Sequence, residues 1–143
     1  MKHQISTSII INANPSTIWN VFTDFSRYPE WNPFIKSIIG EIQVGKRFQA
    51  NIGNMTFKPR VIAYKNSEEF TWLGHFLFPG IFDGKHSFIL KDNGDGTTTF
   101  IQKESFNGLL VGWMKKKLDT EIMDGFNAMN QALKKEIEKC LVQ

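Results

Sequence analysis

Residues 14–33 constrain the possible fold more than any other part of the chain. Asn14 is a favoured helix N-cap, and Pro15 suits the first helical position because its missing N–H has no partner to lose there. Three apolar residues follow at the spacing of an amphipathic helix: Ile18, Val21 and Phe22. The segment therefore predicts a short, capped helix directly after an initial strand.

The same segment continues into an aromatic-proline corner, Tyr28-Pro29-Glu30-Trp31-Asn32-Pro33. Pro29 and Pro33 prevent one continuous helix, because proline removes a backbone donor and clashes with the preceding turn. We expect a second short helical turn that ends at this corner. Trp31 then either lines a pocket or fills the space beneath it.

Strand-like segments make up most of the sequence up to residue 106. Residues 4–12 are rich in β-branched side chains, which favour strands. Turn residues divide the later part into predicted strands at 35–42, 46–52, 56–65, 68–77, 83–91 and 97–106. This spacing predicts an antiparallel meander, and Pro59 within the segment 56–65 indicates an edge position or a bulge.

A long amphipathic helix is predicted from about residue 110 to residue 141. Its apolar stripe repeats every three or four positions, at Leu118, Ile122, Phe126, Met129, Leu133, Ile137 and Cys140. Gly125 lies inside this helix, where glycine costs about 1 kcal/mol relative to alanine. We expect that the small residue lets the helix approach the sheet closely.

The composition is that of a globular protein. Of 143 residues, 41% are hydrophobic and 22% are charged, which predicts one folded domain over residues 1–143 rather than disorder. The net charge is only +3, and the basic run Lys115–Lys117 is interpreted as a solvated helix face. Nucleic-acid binding is therefore not predicted.

Missing motifs exclude several kinds of site and location. The single cysteine, Cys140, rules out an internal disulfide and a cysteine zinc site. The three histidines lack the close spacing of a metal site, and neither a nucleotide-binding loop nor a serine-hydrolase motif occurs, so no metal or cofactor is predicted. With no apolar signal core and no run of about 18 apolar residues, we predict a cytoplasmic protein without a membrane span.

The order of elements and several short motifs resemble a known superfamily. The matching residues are Asn14-Pro15, Ile18-Trp19, Asp24, Tyr28–Pro33, Gly45, Phe48, Gly84–Phe88, Gly94–Thr97, Glu104–Gly108 and Gly125–Lys134. The pattern resembles the helix-grip fold of the START-related superfamily, which includes the major birch pollen allergen, and within it the polyketide cyclase/dehydrase-like branch of small bacterial proteins. The resemblance implies an α+β fold in which a curved seven-stranded antiparallel sheet wraps around the long C-terminal helix, with two short helices between strands 1 and 2.

The resemblance also implies a ligand site between the curved sheet and the helix. Members of the superfamily bind lipids, hormones and aromatic polyketides, and some are cyclases or hydrolases. On this basis we predict binding of a hydrophobic small molecule: a lipid, fatty acid, isoprenoid or aromatic polyketide. The alternatives are a cyclase or dehydratase-type enzyme, and a protein-interaction module similar to co-chaperones of this fold. The sequence does not indicate an oligomeric state.

Strand periodicity indicates which side chains face the predicted cavity. Alternate positions of the late strands are mostly apolar, and His86, Gln102 and Glu104 are the polar exceptions on those faces. His86 and Glu104 could act as an acid/base pair, orient a ligand, or belong to a satisfied polar network. The predicted ligand contacts are Trp31, Trp72, Phe76, Phe82, His86, Phe88, Gln102, Glu104, Phe126 and Met129.

Two groups of aromatic and apolar residues, one at a predicted turn and one at the start of the long helix, each allow two interpretations. Phe76, Phe78 and Phe82 flank a Pro-Gly turn and either gate the cavity or seal the edge of a core. Trp113 and Met114, near the start of the long helix, either cover an entrance or pack in the core.

Overall fold

The computed structural model describes residues 2–76 and 79–139 and shows an α+β fold. Its strands are β1 (Lys2–Ile11), β2 (Ile35–Ile39), β3 (Gln49–Ile52), β4 (Met55–Phe57), β5 (Arg60–Lys65), β6 (Glu69–Phe76), β7 (Phe82–Asp92) and β8 (Thr98–Asn107). Its helices are α1 (Pro15–Phe22), α2 (Tyr28–Trp31), α3 (Val111–Lys117) and α4 (Met123–Glu138). Phe76 belongs to β6, but its side chain, together with Phe78 and Cys140, lies outside the described residues.

The capped helix and the corner are both confirmed. Asn14 Oδ1 accepts the backbone N–H of Thr17 at 2.9 Å, which satisfies one of the free donors at the start of α1. At the corner, the buried Tyr28 hydroxyl donates to the backbone carbonyl of Phe22. Asn32 Oδ1 accepts two backbone N–H groups beyond α2, each at 2.9 Å. These hydrogen bonds fix the turn from α2 into β2.

The strands form two antiparallel sheets rather than one sheet of seven strands. The larger sheet has the order β1-β8-β7-β6-β5, and the smaller one has the order β2-β3-β4. The predicted strand 56–65 is divided because Pro59, between β4 and β5, has no N–H to donate to a ladder. Backbone bonds from Phe48 N to Pro59 O (3.1 Å) and from Val61 N to Lys46 O (2.9 Å) still connect the two sheets.

The C-terminal helix is continuous but not uniform. α3 and α4 are joined by one π-helical segment, Leu118–Ile122, and all caps between them have helical backbone angles. The predicted apolar stripe is confirmed within the described residues, because its buried members are Leu118, Phe126, Met129, Leu133 and Ile137. The π segment widens one turn of the helix, and such segments are often found at functional sites.

Most of the core lies between the larger sheet, α1 and α4. Its centre is a group of fully buried aromatic rings: Phe22, Phe70, Phe88 and Phe100. The rings of Phe22 and Phe88 have centroids 5.0 Å apart in a tilted arrangement. A second, smaller cluster forms around Phe106, Leu118 and Phe126, where the start of the C-terminal helix meets β8. The rings fill the centre of the first cluster, whereas open space remains beside the second.

Gly125 permits a close approach, but its neighbour is a loop residue rather than the sheet. A Cβ atom at this position would lie 2.5 Å from Cδ1 of Phe34, which follows the aromatic-proline corner. The ring of Phe34 in turn packs edge-on against Phe126, with centroids 5.4 Å apart. Gly125 thus lets the corner segment dock onto α4.

Replacing Gly125 with alanine should lower the free energy of unfolding by about 1–2 kcal/mol, although alanine favours a helix by about 1 kcal/mol. The loss comes from the collision of the new methyl group with the Phe34 ring. Urea unfolding of Gly125→Ala, Phe34→Leu and the double variant measures it. The double variant should recover part of the loss; strictly additive effects would contradict the proposed contact.

Candidate functional site

The register of the larger sheet brings three predicted site residues into one row. Trp72 of β6 lies opposite His86 of β7, and His86 lies opposite Glu104 of β8. Side chains at directly opposed positions share one face of the sheet, so all three point toward the C-terminal helix. Trp72 and His86 are buried, and the Glu104 side chain is 15% exposed.

In the next row of the same face, β6 and β7 carry glycine and only β8 carries a large side chain, Phe106. Gly74 of β6 pairs directly with Gly84 of β7. A Cβ atom at Gly84 would collide with Oε2 of Glu104, so glycine is what lets the carboxyl group rest against β7. The bare backbone at these two positions leaves space above the sheet, beside Trp72 and Glu104.

This space belongs to a cavity of about 650 Å³ between the sheets and the first half of the C-terminal helix. Its apolar lining includes Trp72, Phe82, Phe106, Met114, Leu118 and Ile122. The π segment supplies part of the helical wall, since Leu118 and Ile122 are its first and last residues. Trp113 also contributes to the lining, yet the residue is 81% exposed, which places it at the opening rather than in the core.

The imidazole of His86 is surrounded by aromatic rings. Its centroid is 4.9 Å from Trp72, 4.3 Å from Phe88 and 4.7 Å from Phe126. Burial among these rings removes water from the charged form, and the pKa of His86 falls from 6.5 to about 3. His86 is therefore neutral at physiological pH.

Glu104 is the carboxyl partner of His86. Its Oε1 lies 3.4 Å from Nδ1 of His86. Burial raises the pKa of Glu104 from 4.5 to about 8, so the carboxyl group holds its proton at pH 7. The two groups form a neutral pair at the cavity wall rather than an ion pair.

A buried chain of hydrogen-bonded polar side chains contacts His86 at its Nε2 atom. Gln102 Oε1 lies 3.0 Å from Nε2 of His86, and Gln102 Nε2 donates to Asn130 Oδ1 at 2.9 Å. Asn130 Nδ2 donates to Thr7 Oγ1 at 2.9 Å, and the Thr7 hydroxyl donates to the backbone oxygen of Gln102 at 3.1 Å. The chain connects β7, β8, β1 and α4, so it fixes the imidazole to both layers of the fold.

A family comparison gives this site a context. Residues 2–138 match the sequence profile of the family described as "Polyketide cyclase / dehydrase and lipid transport". The chain belongs to this family. No curated protein matches the chain with significance.

Several solved structures share the fold of this family member. The Zhui aromatase/cyclase from Streptomyces sp. R1128 has a TM-score of 0.76 at 14% identity, covering 99% of this chain and 96% of that one. A START superfamily protein from Mycobacterium smegmatis has a TM-score of 0.72 at 21% identity, covering 96% and 99%. A norcoclaurine synthase from Thalictrum flavum has a TM-score of 0.75 at 14% identity, covering 97% and 96%. These similarities confirm the helix-grip fold.

Only some of the predicted ligand contacts line the cavity of this family member. Four of them line the cavity: Trp72, Phe82, His86 and Glu104. Four others are fully buried outside its lining: Phe88, Gln102, Phe126 and Met129. Trp31 is half-buried against Tyr28, with ring centroids 5.2 Å apart, and also lies outside the lining. The side chain of Phe76 lies outside the described residues.

Several residues of the cavity were not identified from the sequence. Phe34 was missed because it stands in the corner segment, where no strand or helix periodicity applies. The facing pair Gly74 and Gly84 carried a usable signal, since two glycines on the inward face of neighbouring predicted strands leave a gap in that face.

Among residues 2–76 and 79–139, no three His, Cys, Asp or Glu side chains come together as a metal site. Of the helices that the structure describes, none is long and apolar enough to cross a membrane.

Proposed function

We propose that the protein binds a hydrophobic small molecule in the cavity between the sheets and the C-terminal helix. The observation that carries the proposal is the cavity itself: about 650 Å³, with mostly apolar and aromatic walls and a neutral polar pair, His86 and Glu104, on the sheet side. Ligand pockets typically have volumes of roughly 300–1,000 Å³ and combine apolar walls with a few polar groups. The candidate ligands are a lipid, an isoprenoid or an aromatic polyketide.

Burial of apolar surface would supply most of the affinity. Each Å² of apolar ligand surface removed from water contributes roughly 25 cal/mol, before the cost of association. Trp72 offers an aromatic wall, which favours a flat ligand through offset or edge-on ring contacts. The family description and the names of the aromatase/cyclase and norcoclaurine synthase support a ring-containing ligand class.

Native mass spectrometry of protein purified from its own host should detect a co-purifying small molecule.

Filling the cavity should weaken binding, and we expect Gly74→Phe to reduce the affinity at least tenfold. Gly74 lines the cavity, and a Cβ atom there makes only an ordinary 3.8 Å contact with Pro59, so a phenylalanine ring can enter the cavity. Ile10→Phe is the matched control, because Ile10 is 58% exposed on β1. Equal binding by both variants, or the absence of any bound compound and of any binding to apolar probes, would contradict the proposal.

A cyclase or dehydratase-type enzyme is the second candidate, favoured by the contact between His86 and Glu104. A protonated carboxyl group can donate a proton to a ligand oxygen, while an unprotonated imidazole nitrogen can accept one. In this role the bound compound is converted during incubation, either to a cyclised isomer that chromatography separates or to a product lighter by one water, and Glu104→Gln stops the conversion while the ligand still binds.

The cytoplasmic location expected from the sequence also stays a prediction.

A further inference from the structure

We infer that the ligand carries an uncharged oxygen group, such as a ketone, a phenol or an enol, at the end that meets His86 and Glu104, and that Gln102 is the positioning residue behind this preference. The inference rests on the proposed function, because it names the ligand class of the same cavity. It separates neutral oxygen-bearing molecules from fatty acids and other carboxylates.

The orientation of the Gln102 amide follows from its fixed acceptors. Its Nε2 lies 3.3 Å from the backbone carbonyl oxygen of Phe126, a group that can only accept. The same nitrogen donates to Asn130 Oδ1 at 2.9 Å. The amide oxygen must therefore be the atom that faces His86, at 3.0 Å from Nε2.

The far end of the chain agrees with this orientation. The Thr7 hydroxyl donates its hydrogen to the backbone oxygen of Gln102 and accepts from Asn130 Nδ2. Turning the Gln102 amide over would place its oxygen against two other acceptors, and turning the Asn130 amide over would place its N–H groups against those of Gln102. The network therefore has one consistent direction. His86 consequently carries its hydrogen on Nε2 and leaves Nδ1 as an unprotonated acceptor that faces Glu104.

Glu104 completes a donor–acceptor pair on the cavity wall. Among the described residues, His86 is the one basic side chain recorded within 4.0 Å of the Glu104 carboxyl group, and burial raises the pKa of that carboxyl group to about 8. The 3.4 Å separation from Nδ1 is longer than the 2.5–3.0 Å of ordinary O–H hydrogen bonds, so the proton is not tied to the imidazole. The carboxyl O–H can donate to a ligand carbonyl, and Nδ1 can accept from a ligand hydroxyl.

Among the described residues that line the cavity, every basic side chain already has an acidic neighbour, so none is left to pair with a carboxylate ligand. Lys117 lines the cavity, but it already lies 3.9 Å from Glu121. His75 also lines the cavity, and its Nδ1 lies 2.6 Å from an oxygen of Asp83. An anion placed against His86 and Glu104 would lose its water without gaining a cation, which is strongly unfavourable.

Four matched naphthalene probes test the ligand class by fluorescence titration at pH 7: 2-acetylnaphthalene, 2-naphthol, 2-naphthoate and 2-ethylnaphthalene. One hydrogen bond contributes about 1 kcal/mol, so the acetyl and hydroxyl compounds should bind about fivefold more tightly than the ethyl compound. The naphthoate should bind most weakly. Glu104→Leu should abolish the preference for acetyl over ethyl, and Gln131→Leu, at an exposed position on α4, should retain it.

The outcomes separate the two proposals. Equal binding of the acetyl, hydroxyl and ethyl compounds, or tightest binding of the naphthoate, overturns the inference while leaving hydrophobic binding in place. If none of the four compounds binds, the proposed function fails, and the inference fails with it.

The role of Gln102 has its own spectroscopic readout. The ¹⁵N chemical shifts of His86 in the wild-type protein should show a neutral ring with hydrogen on Nε2. In Gln102→Met the ring should become a mixture of tautomers, and the preference for acetyl over ethyl should fall. If that variant does not fold, the wild-type spectrum decides: hydrogen on Nδ1, or a protonated ring, overturns the assignment.

Discussion

Replacing Gln102 with leucine should lower the free energy of unfolding by about 3–5 kcal/mol, because it leaves several buried polar groups without their partner. The His86 Nε2–H loses its acceptor, and Asn130 Oδ1 loses its donor. The backbone oxygen of Phe126 loses one of its bonds as well. Each unsatisfied buried group costs about 1–3 kcal/mol, and none of the three is at a surface where water could replace the amide.

Urea unfolding at pH 7, followed by circular dichroism, measures this loss. Gln131→Leu is the control, since it makes the same chemical change at an exposed position of α4 and should alter stability by no more than about 0.5 kcal/mol. A loss below about 1 kcal/mol for Gln102→Leu would show that the network is not satisfied by Gln102 in solution.

The inward direction of the site residues was predictable from strand periodicity, but their division of roles was not. A period of two places His86, Gln102 and Glu104 on one face, and the register confirms that face. Gln102 nevertheless turns away from the cavity, because it bonds Asn130 on α4. That choice depends on a helix whose distance from the sheet no local pattern encodes.

The fold class was predictable from local sequence signals, whereas the division into two sheets and the π segment were not. The order of strands and helices follows from turn residues and apolar spacing, which are local properties. The division into two sheets depends on where the unpaired nitrogen of Pro59 falls between β4 and β5, and the sequence allowed either an edge or a bulge there. The π segment at Leu118–Ile122 could not be predicted from the apolar stripe. The apolar residues in and after it are four positions apart, which is also the spacing of an ordinary helix.

The stability of the wild-type protein should fall by about 3 kcal/mol relative to Glu104→Gln as the pH rises from 5 to 8. The folded protein holds the Glu104 proton with a pKa of about 8, whereas the ordinary value is 4.5. The folded state therefore binds this proton more tightly than the unfolded chain does. Its contribution to stability is complete below pH 4.5 and is lost as the pH rises through 8. Glutamine keeps the shape and the hydrogen-bond donor but cannot ionise, so the variant does not share this loss.

The stability that His86 contributes depends on pH in the opposite direction. The comparison of wild type with Glu104→Gln distinguishes the two contributions, which a pH series on the wild-type protein alone would not. The pKa of His86 is lowered to about 3 from 6.5, so its contribution is lost as the pH falls from 6.5 toward 3. The wild-type protein and Glu104→Gln both contain His86. Subtracting their free energies of unfolding, measured with urea at each pH, therefore removes most of the His86 contribution. Glu121→Gln is the control, because it makes the same substitution at a glutamate with a side chain 72% exposed. If the difference between wild type and Glu104→Gln did not change with pH, the Glu104 carboxyl group would be ionised in the folded protein at pH 7, and the neutral pair with His86 would not exist.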